Sequence, residues 1–218
     1  MLPGETVIAS IEPPRTRLSE AVASTKALAD LIGDFWIFTR LWGLVSIYSW
    51  ARDNYMKPPG DPALKILVWA QVGASATFQF LENGAYLASK GVLRGDNWAR
   101  RGPKWDIWGN RFWLTHVVLE GLRLLRVRQL RYNEDFGAKS KQDSGTGVVV
   151  ADQEVKVQSE ALRRRWHRDF YANAGWFPLT LHGSFEDARL SPVSDTWIGL
   201  CGMVPGIVGL VNVWEQTS

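Results

Sequence analysis

The sequence predicts an all-α integral membrane protein that combines amphipathic helices with a C-terminal transmembrane helix. Its apolar runs are long and separated by proline and glycine, and strand patterns are almost absent. Tryptophan is several times more frequent than usual, with 12 in 218 residues, and Trp is enriched where a bilayer meets water. The mean hydropathy of -0.13 is below that of a compact multi-span transporter, so a membrane protein with this sequence must carry a large polar share beside a few apolar segments.

The first part of the chain predicts a flexible N-terminus over residues 1–18, followed by one helical domain over residues 19–218. The N-terminal residues include three prolines and no apolar core, so they are not a secretory signal. The apolar run Ser19–Tyr55 is amphipathic at its start. From Leu31 to Trp50 it is apolar on nearly all sides, which makes this stretch a candidate third membrane span. Three prolines and a glycine between Lys57 and Pro62 then force a turn.

The second apolar run predicts a membrane span near Ile66–Ser89, because it carries no charge from Ile66 to Leu81. At 100° per residue its polar side chains fall into one narrow seam, formed by Gln71, Ser75, Gln79, Glu82, Tyr86, Ser89 and Lys90. Two interpretations remain open. The seam faces the interior of a helix bundle or the headgroups, or Gln71, Gln79 and Glu82 line a pathway for small solutes.

Two further helices are predicted over Trp105–Tyr132 and Ser159–Phe177, with a basic loop over 91–103 before them and a disordered loop at 135–158 between them. Both helices carry clustered arginines with apolar neighbours: Arg123, Arg126, Arg128, Arg131, Arg163, Arg164, Arg165 and Arg168, with Trp166 among them. Such clusters bind nucleic acid phosphates or anionic lipid headgroups. The neighbouring Trp, Phe and Leu residues favour lipid, so we expect no nucleic acid partner.

The last apolar run, Thr196–Trp214, is the strongest candidate span. It has no charge and carries Trp near both ends, and as a helix it measures about 28 Å, close to the thickness of a bilayer's hydrocarbon core. Four glycines share one face of this helix: Gly199, Gly202, Gly206 and Gly209. Glycines on one face let two helices approach closely in lipid, which predicts self-association. The alternative is a buried, glycine-rich helix of a soluble bundle.

No pattern in the sequence predicts catalysis. His116, His167 and His182 lack metal-ligand spacing, and the phosphate-binding and nucleophile motifs are absent. The single Cys201 excludes an internal disulfide framework and a cysteine zinc site. We therefore expect no enzyme activity, no cofactor and no metal.

Several segments together resemble the peroxisomal biogenesis factor 11 family, most closely its divergent fungal branch. They are Leu-Glu-Asn-Gly-Ala-Tyr-Leu-Ala-Ser-Lys-Gly-Val-Leu at 81–93, Arg-Phe-Trp at 111–113, the Leu-Arg-x-x-Arg repeat within 122–131, and the glycine-rich segment that ends at Trp214. The resemblance covers Leu28 to Trp214.

The resemblance implies a peroxisomal membrane protein that inserts amphipathic helices into one leaflet and elongates the organelle. It also implies assembly with itself and recruitment of fission-machinery proteins, with a channel or carrier for small metabolites as the alternative role. One feature departs from the family. The family's N-terminal helix is strongly basic, whereas in segment 17–40 of this chain three basic residues balance three acidic ones. The cationic segments of this chain lie instead at residues 123–131 and 163–168.

Overall fold

The computed structural model describes residues 17–142 and 149–217, and in these residues it contains only helices and their connections. Two single 3₁₀ turns, at Arg40–Trp42 and Ala188–Leu190, accompany the α-helices. We label the helices α1 (Arg17–Thr39), α2 (Gly43–Met56), α3 (Pro62–Ser89), α4 (Asp96–Gln142), α5 (Val149–Gly183) and α6 (Asp195–Thr217). The predicted all-α class is therefore confirmed.

The helix α1 forms a unit by itself, since contacts divide the described residues after Arg40. It is exposed along its apolar face, which includes Leu18, Leu31 and Phe35. The 3₁₀ turn at Arg40–Trp42 interrupts the expected third span, Leu31–Trp50, which is therefore not one continuous helix. Within the described part of the chain, the helices long and apolar enough to cross a membrane are α3 and α6.

Several helix ends differ from those predicted by the sequence. The connection before α4 is shorter than expected, because Gly91 and Gly95, with φ of 70° and 110°, complete the turn and α4 then continues through Pro103. Likewise α5 passes through Pro178 to Gly183. A proline bends a helix and removes one hydrogen bond, but it does not end the helix where neighbouring helices hold the chain. The helices α4 and α5 also extend into the predicted loop 135–158, of which residues 143–148 lie outside the described residues.

The helix α3 starts where the sequence predicts a turn. Asp61 precedes Pro62, and its side chain accepts a hydrogen bond of 2.9 Å from the Leu64 N–H. The carboxylate thus caps the helix, while proline at the first helical position loses no hydrogen bond that the helix needs.

The helices α2 to α6 form an antiparallel row in which each helix packs closely against its neighbours in the sequence. Between α3 and α4, Gln71 lies beside Glu120, while Gly84 lies beside Trp105. Between α5 and α6, Arg168 lies beside Glu215. A contact late in one helix thus falls early in the next, which defines the antiparallel order.

Aromatic side chains fill the seams of this row. The Phe78 ring stacks on Trp113 with 5.5 Å between the ring centroids, and Trp113 contacts Trp176 at 5.1 Å. Trp166 is buried, and its indole N–H donates to the Leu124 carbonyl oxygen over 2.8 Å. Buried Trp needs such an acceptor, so this contact fixes the level at which α5 packs on α4.

The helices α5 and α6 cross at Gly175. A Cβ atom at this position would lie 2.7 Å from the Pro205 Cδ atom and 2.8 Å from the Cys201 carbonyl oxygen, so no larger residue fits without a shift. Close backbone approach of this kind is how small residues serve helix pairs in membranes. This contact lies within one chain and is separate from the self-association predicted for the glycines of α6.

Candidate functional site

The outer surface of α6 is strongly apolar. In the most apolar stretch of 18 residues, only 6% of α6 is buried, whereas 28% of the corresponding stretch of α3 is buried. Leu210 is 71% exposed, and Trp197 and Trp214 at the two ends are also exposed. Such an area is unfavourable in water, at about 25 cal/mol for each Å² of apolar surface, and typical of contact with lipid or another protein.

The predicted glycine face of α6 divides into two parts. A Cβ atom at Gly199, Gly206 or Gly209 would meet no atom of a neighbouring helix within 4 Å. Gly202 instead faces α5, where the Leu179 methyl groups would lie 3.5 and 3.7 Å from such an atom. Three of the four glycines are thus open to a second helix, and their role in association stays a prediction.

The polar seam of α3 lies between α3 and its neighbours. Gln71 is 1% exposed and donates to Glu120 over 2.7 Å. Gln79 is also buried, and it donates to Glu82 and Asn83 on its own helix. The structure therefore buries Gln71 and Gln79 within the helix row, whereas Ser89 and Lys90 at the end of the seam are exposed. A role for these residues in lining a pathway stays a prediction.

Glu120 on α4 is the centre of the polar contacts in this seam. Arg123 donates to both of its carboxylate oxygens, over 2.6 and 2.7 Å, and Gln71 donates to it from α3. One turn away, the Ser75 hydroxyl and His116 Nδ1 are 2.9 Å apart. A cavity of about 570 Å³ adjoins these groups, lined by Trp50, Asn54, Pro59, Leu64, Val68, His116, Glu120 and Arg123.

A second ion pair joins the start of α3 to α4. Arg126 donates to both carboxylate oxygens of Asp61, over 2.7 and 3.3 Å. This hydrogen bond, with a further one from the Leu64 N–H, holds the pKa of Asp61 below its ordinary value of 3.8. Asp61 therefore caps one helix and binds the next with the same carboxylate.

The clustered arginines have different surroundings. Arg123 and Arg126 pair with carboxylates, Arg131 donates to the Leu162 carbonyl oxygen, and Arg168 donates to Asn212 and Glu215 of α6. The Arg128 guanidinium lies 5.1 Å from the centre of the Trp166 ring. The exposed members of the cluster on α5 are Arg163, Arg164 and Arg165.

Trp166 requires a correction. It was predicted to contact the membrane surface together with the arginines, but it is 7% exposed and belongs to the contact between α4 and α5. A Trp between arginines is compatible with a core position, because the arginines before it turn outward while its own side chain turns inward on the same helix.

Sequence reasoning missed the residues that hold the helices together. Asp61 could have been found, since Asp directly before proline at the start of an apolar run is a helix-start signal. Gly175 carries no signal of its own, because its partners lie on another helix. Among the described residues, no group of three or more His, Cys, Asp or Glu side chains is arranged to hold a metal ion.

We predict that Asp61→Asn lowers the melting temperature of the full-length protein in detergent micelles at neutral pH. Asn still caps a helix but forms no ion pair with Arg126. Because the folded-state pKa of Asp61 is lowered, the pair contributes stability above pH 3.8 and loses it as the pH falls through the folded-state value. The difference from wild type, followed by circular dichroism, should therefore shrink on acidification below pH 3.8.

Asp53→Asn is the matched control, because Asp53 and its neighbour Arg52 are both exposed, with 3.5 Å between them. Exposed pairs contribute little, so this variant should melt as wild type does. At about pH 3 the Asp61 carboxyl is mostly protonated in the unfolded chain, so a difference in melting temperature between Asp61→Asn and wild type that stayed constant down to this pH would show that the ion pair is not its cause.

Comparison with known proteins identifies the family. The sequence profile described as Peroxisomal biogenesis factor 11 (PEX11) matches residues 20–214, whereas searches of curated proteins and of solved structures gave no significant match. Since the match covers most of the chain, the chain belongs to this family. The family acts in peroxisome proliferation and division, and it is not an enzyme family. Membership in it implies that the protein associates with the peroxisomal membrane.

Proposed function

We propose that this member of the peroxisomal biogenesis factor 11 family is integral to the peroxisomal membrane and elongates it by helix insertion and self-association. The observation that carries the proposal is the exposure of α6, whose apolar residues point away from the rest of the row along almost its whole length. Within the described chain, α6 packs closely against α5. The remaining surface is matched by hydrocarbon, because lipid tails are as apolar as these side chains.

The exposed arginines of α5 act at the anionic headgroups. Arg163, Arg164 and Arg165 are exposed, and the side chains of Leu162 and Tyr132 are exposed in the same part of α4 and α5. Cationic side chains attract anionic lipids, and adjacent apolar side chains enter the outer part of the leaflet to a depth of about 5 to 10 Å. Insertion on one side expands that leaflet relative to the other and favours curvature.

Self-association makes the effect of single copies additive. The open glycines of α6, which are Gly199, Gly206 and Gly209, offer a surface on which a second α6 could lie with close backbone contact. The partners we propose are therefore membrane lipids and further copies of the chain, together with proteins of the fission machinery that act on the elongated membrane.

The anchor is tested by Ile207→Asp. Ile207 is exposed near the middle of α6, and an Asp at the centre of a span costs about 2.5 to 3.5 kcal/mol on the insertion scale. We expect the variant to move from the pellet to the supernatant when membranes are extracted with alkaline carbonate. Gln216→Asp adds the same charge beyond Trp214 and should stay in the pellet. Equal retention of both variants would contradict the anchor.

Association is tested by Gly206→Leu, which places a bulky side chain on the open part of the glycine face. The variant should show less crosslinking between differently tagged copies in membranes. Gly199→Ala is the conservative comparison, since one methyl group leaves most of the surface available. If Gly206→Leu crosslinks as wild type does, the open glycines are not the contact between copies.

The role of the arginines is tested by changing Arg163, Arg164 and Arg165 together to Gln. Each charge near an anionic surface contributes about 1 kcal/mol, so affinity for anionic liposomes should fall roughly 100-fold at low salt. The triple Lys variant keeps the charge and should bind nearly as wild type. In cells, the Gln variant should give fewer elongated peroxisomes on overexpression. Unchanged elongation would remove these residues from the shaping mechanism and leave α1 as the inserting helix.

A further inference from the structure

The middle of helix α4 has an uncharged exterior although the sequence of the helix is rich in charge. Within residues 112–125 the exposed side chains are Thr115, Val118, Leu122 and Leu125. The two charged residues of this stretch, Glu120 and Arg123, are paired with each other on the side that faces α3. A helix in water has the opposite arrangement, with charges outside and apolar residues inside.

The helix α5 has the same arrangement beside α6. Within residues 170–183 the exposed side chains are Tyr171, Ala174 and Phe177. The polar residues turn inward, since Thr180 is fully buried and Asn173 donates to the Val117 carbonyl oxygen of α4 over 3.0 Å.

These uncharged stretches lie at the same level as the two apolar helices. Residue 120 of α4 is beside residue 71 of α3, and residue 116 is beside residue 75. Along α5, Gly175 is beside Cys201 and Pro205, in the middle of α6. If α3 and α6 lie in a bilayer, the parts of α4 and α5 packed along them lie at the same depth.

Charged contacts between neighbouring helices mark both edges of this common level. At one edge are the pairs Asp61 with Arg126 and Arg168 with Glu215. At the other edge Arg111 donates to the Ser184 carbonyl oxygen and lies 3.8 Å from Glu186, while His182 lies 4.0 Å from Asp195. The stretches between the two edges measure about 21 to 30 Å at the helical rise. With arginines reaching toward the headgroups, this length suits a hydrocarbon core.

Aromatic side chains continue beyond the second edge. The tip of the α3–α4 hairpin carries Phe80, Trp98, Trp105 and Trp108, and the Phe80 and Trp105 ring centroids are 5.6 Å apart. Basic residues follow at Arg100 and Arg101, which are exposed. Aromatic rings beside basic residues are typical of the headgroup level of a bilayer.

We propose that α4 and α5 are membrane-embedded together with α3 and α6, and that their uncharged exteriors contact lipid acyl chains directly. The occupant of these exteriors is lipid because they are uncharged and lie at the same level along the helices as the exposed apolar surface of α6. The proposal rests on the proposed anchoring by α6. It extends membrane embedding to two helices whose average hydropathy is too low to predict a span. Ionisable residues inside a membrane face neighbouring helices and pair there, as Glu120 and Arg123 do.

A definite topology follows from four embedded helices in antiparallel order. The α3–α4 turn at 90–95 and the α5–α6 connection at 184–194 lie on one side of the membrane. Asp61, the arginines of residues 126–131 and 163–168, and Glu215 lie on the other side. The exposed arginines of α5 are thus at the headgroups at the end of an embedded helix.

Single cysteines in a full-length Cys201→Ala background test the proposal. Val118→Cys on α4, Phe177→Cys on α5 and Leu210→Cys on α6 all replace exposed residues, so folding should be retained. The reference is Gln129→Cys on α4, with the reagent added on whichever side of the membrane exposes that residue. In intact peroxisomes a membrane-impermeant maleimide should label each of the three cysteines at least about tenfold more slowly than this reference. The reason is that a thiol in apolar surroundings forms little of the reactive thiolate. All should react after denaturation in detergent.

The outcomes separate this proposal from the anchor. Rapid labelling at Val118→Cys and Phe177→Cys with protection of Leu210→Cys would overturn the embedding of α4 and α5 and leave the α6 anchor standing. Rapid labelling of Leu210→Cys would overturn both. Asp187→Cys and Val92→Cys should label from the same side and Gln129→Cys from the other; labelling of all three from one side would also overturn the proposal.

A second measurement distinguishes lipid from a covering protein. A bimane group attached at Val118→Cys or Phe177→Cys should be quenched by phospholipids with a spin label in the middle of the acyl chain, to the same extent as at Leu210→Cys. Absence of quenching at the first two sites, with quenching at the third, would show that another protein surface covers α4 and α5, and would overturn the proposal.

Discussion

The contact between Glu120 and its two partners determines how the rest of the helix row is arranged. Arg123 binds both oxygens of the Glu120 carboxylate from the next turn of α4, and Gln71 reaches it from α3. The pair is partly buried, so removing one partner leaves the other charge without compensation where water reaches it poorly. The charged side of α4 is therefore fixed against α3, and the opposite side is left for Val118, Leu122 and Leu125. On the next side of α4, the Trp166 contact with the Leu124 carbonyl oxygen sets the level of α5, and Gly175 sets the approach of α6 to α5.

The high content of Trp has two structural explanations. Trp197 and Trp214 mark the two ends of the exposed α6 helix, as expected for residues at the boundary between an apolar layer and water. Trp113, Trp166 and Trp176 instead connect neighbouring helices. A row of helices has no central core, so each seam needs its own large side chains, and an indole supplies both area and a hydrogen-bond donor.

The sequence predicted the features that depend on local composition. The charge-free run near residues 196–214 and the seam on α3 were both identified, because length, period and the absence of charge are visible in one segment. Gly175 could not be identified, since its significance arises from Pro205 and Cys201 on another helix. The continuation of helices through Pro103 and Pro178 was also missed, because the packing that tolerates a proline is not encoded next to it.

The helix α4 shows why average hydropathy gives the wrong impression of such a chain. Its charged residues lower the average, yet Glu120 and Arg123 neutralise each other inside the row, and Arg126 is neutralised by Asp61.

The same pairing reduces the number of arginines available to lipid. Of the eight clustered arginines, Arg123, Arg126 and Arg168 pair with carboxylates, Arg164 lies 3.8 Å from Glu160 in an exposed pair, and Arg131 donates to a carbonyl oxygen. Since each free charge contributes only about 1 kcal/mol at an anionic surface, the attraction to headgroups depends mainly on the exposed group at 163–165. Some of the clustered arginines thus hold helices together, and the proposed contact with lipid is left to the others. Because the N-terminal segment 17–40 carries balanced charge, the proposed basic contact with lipid lies within α5, at residues 163–165.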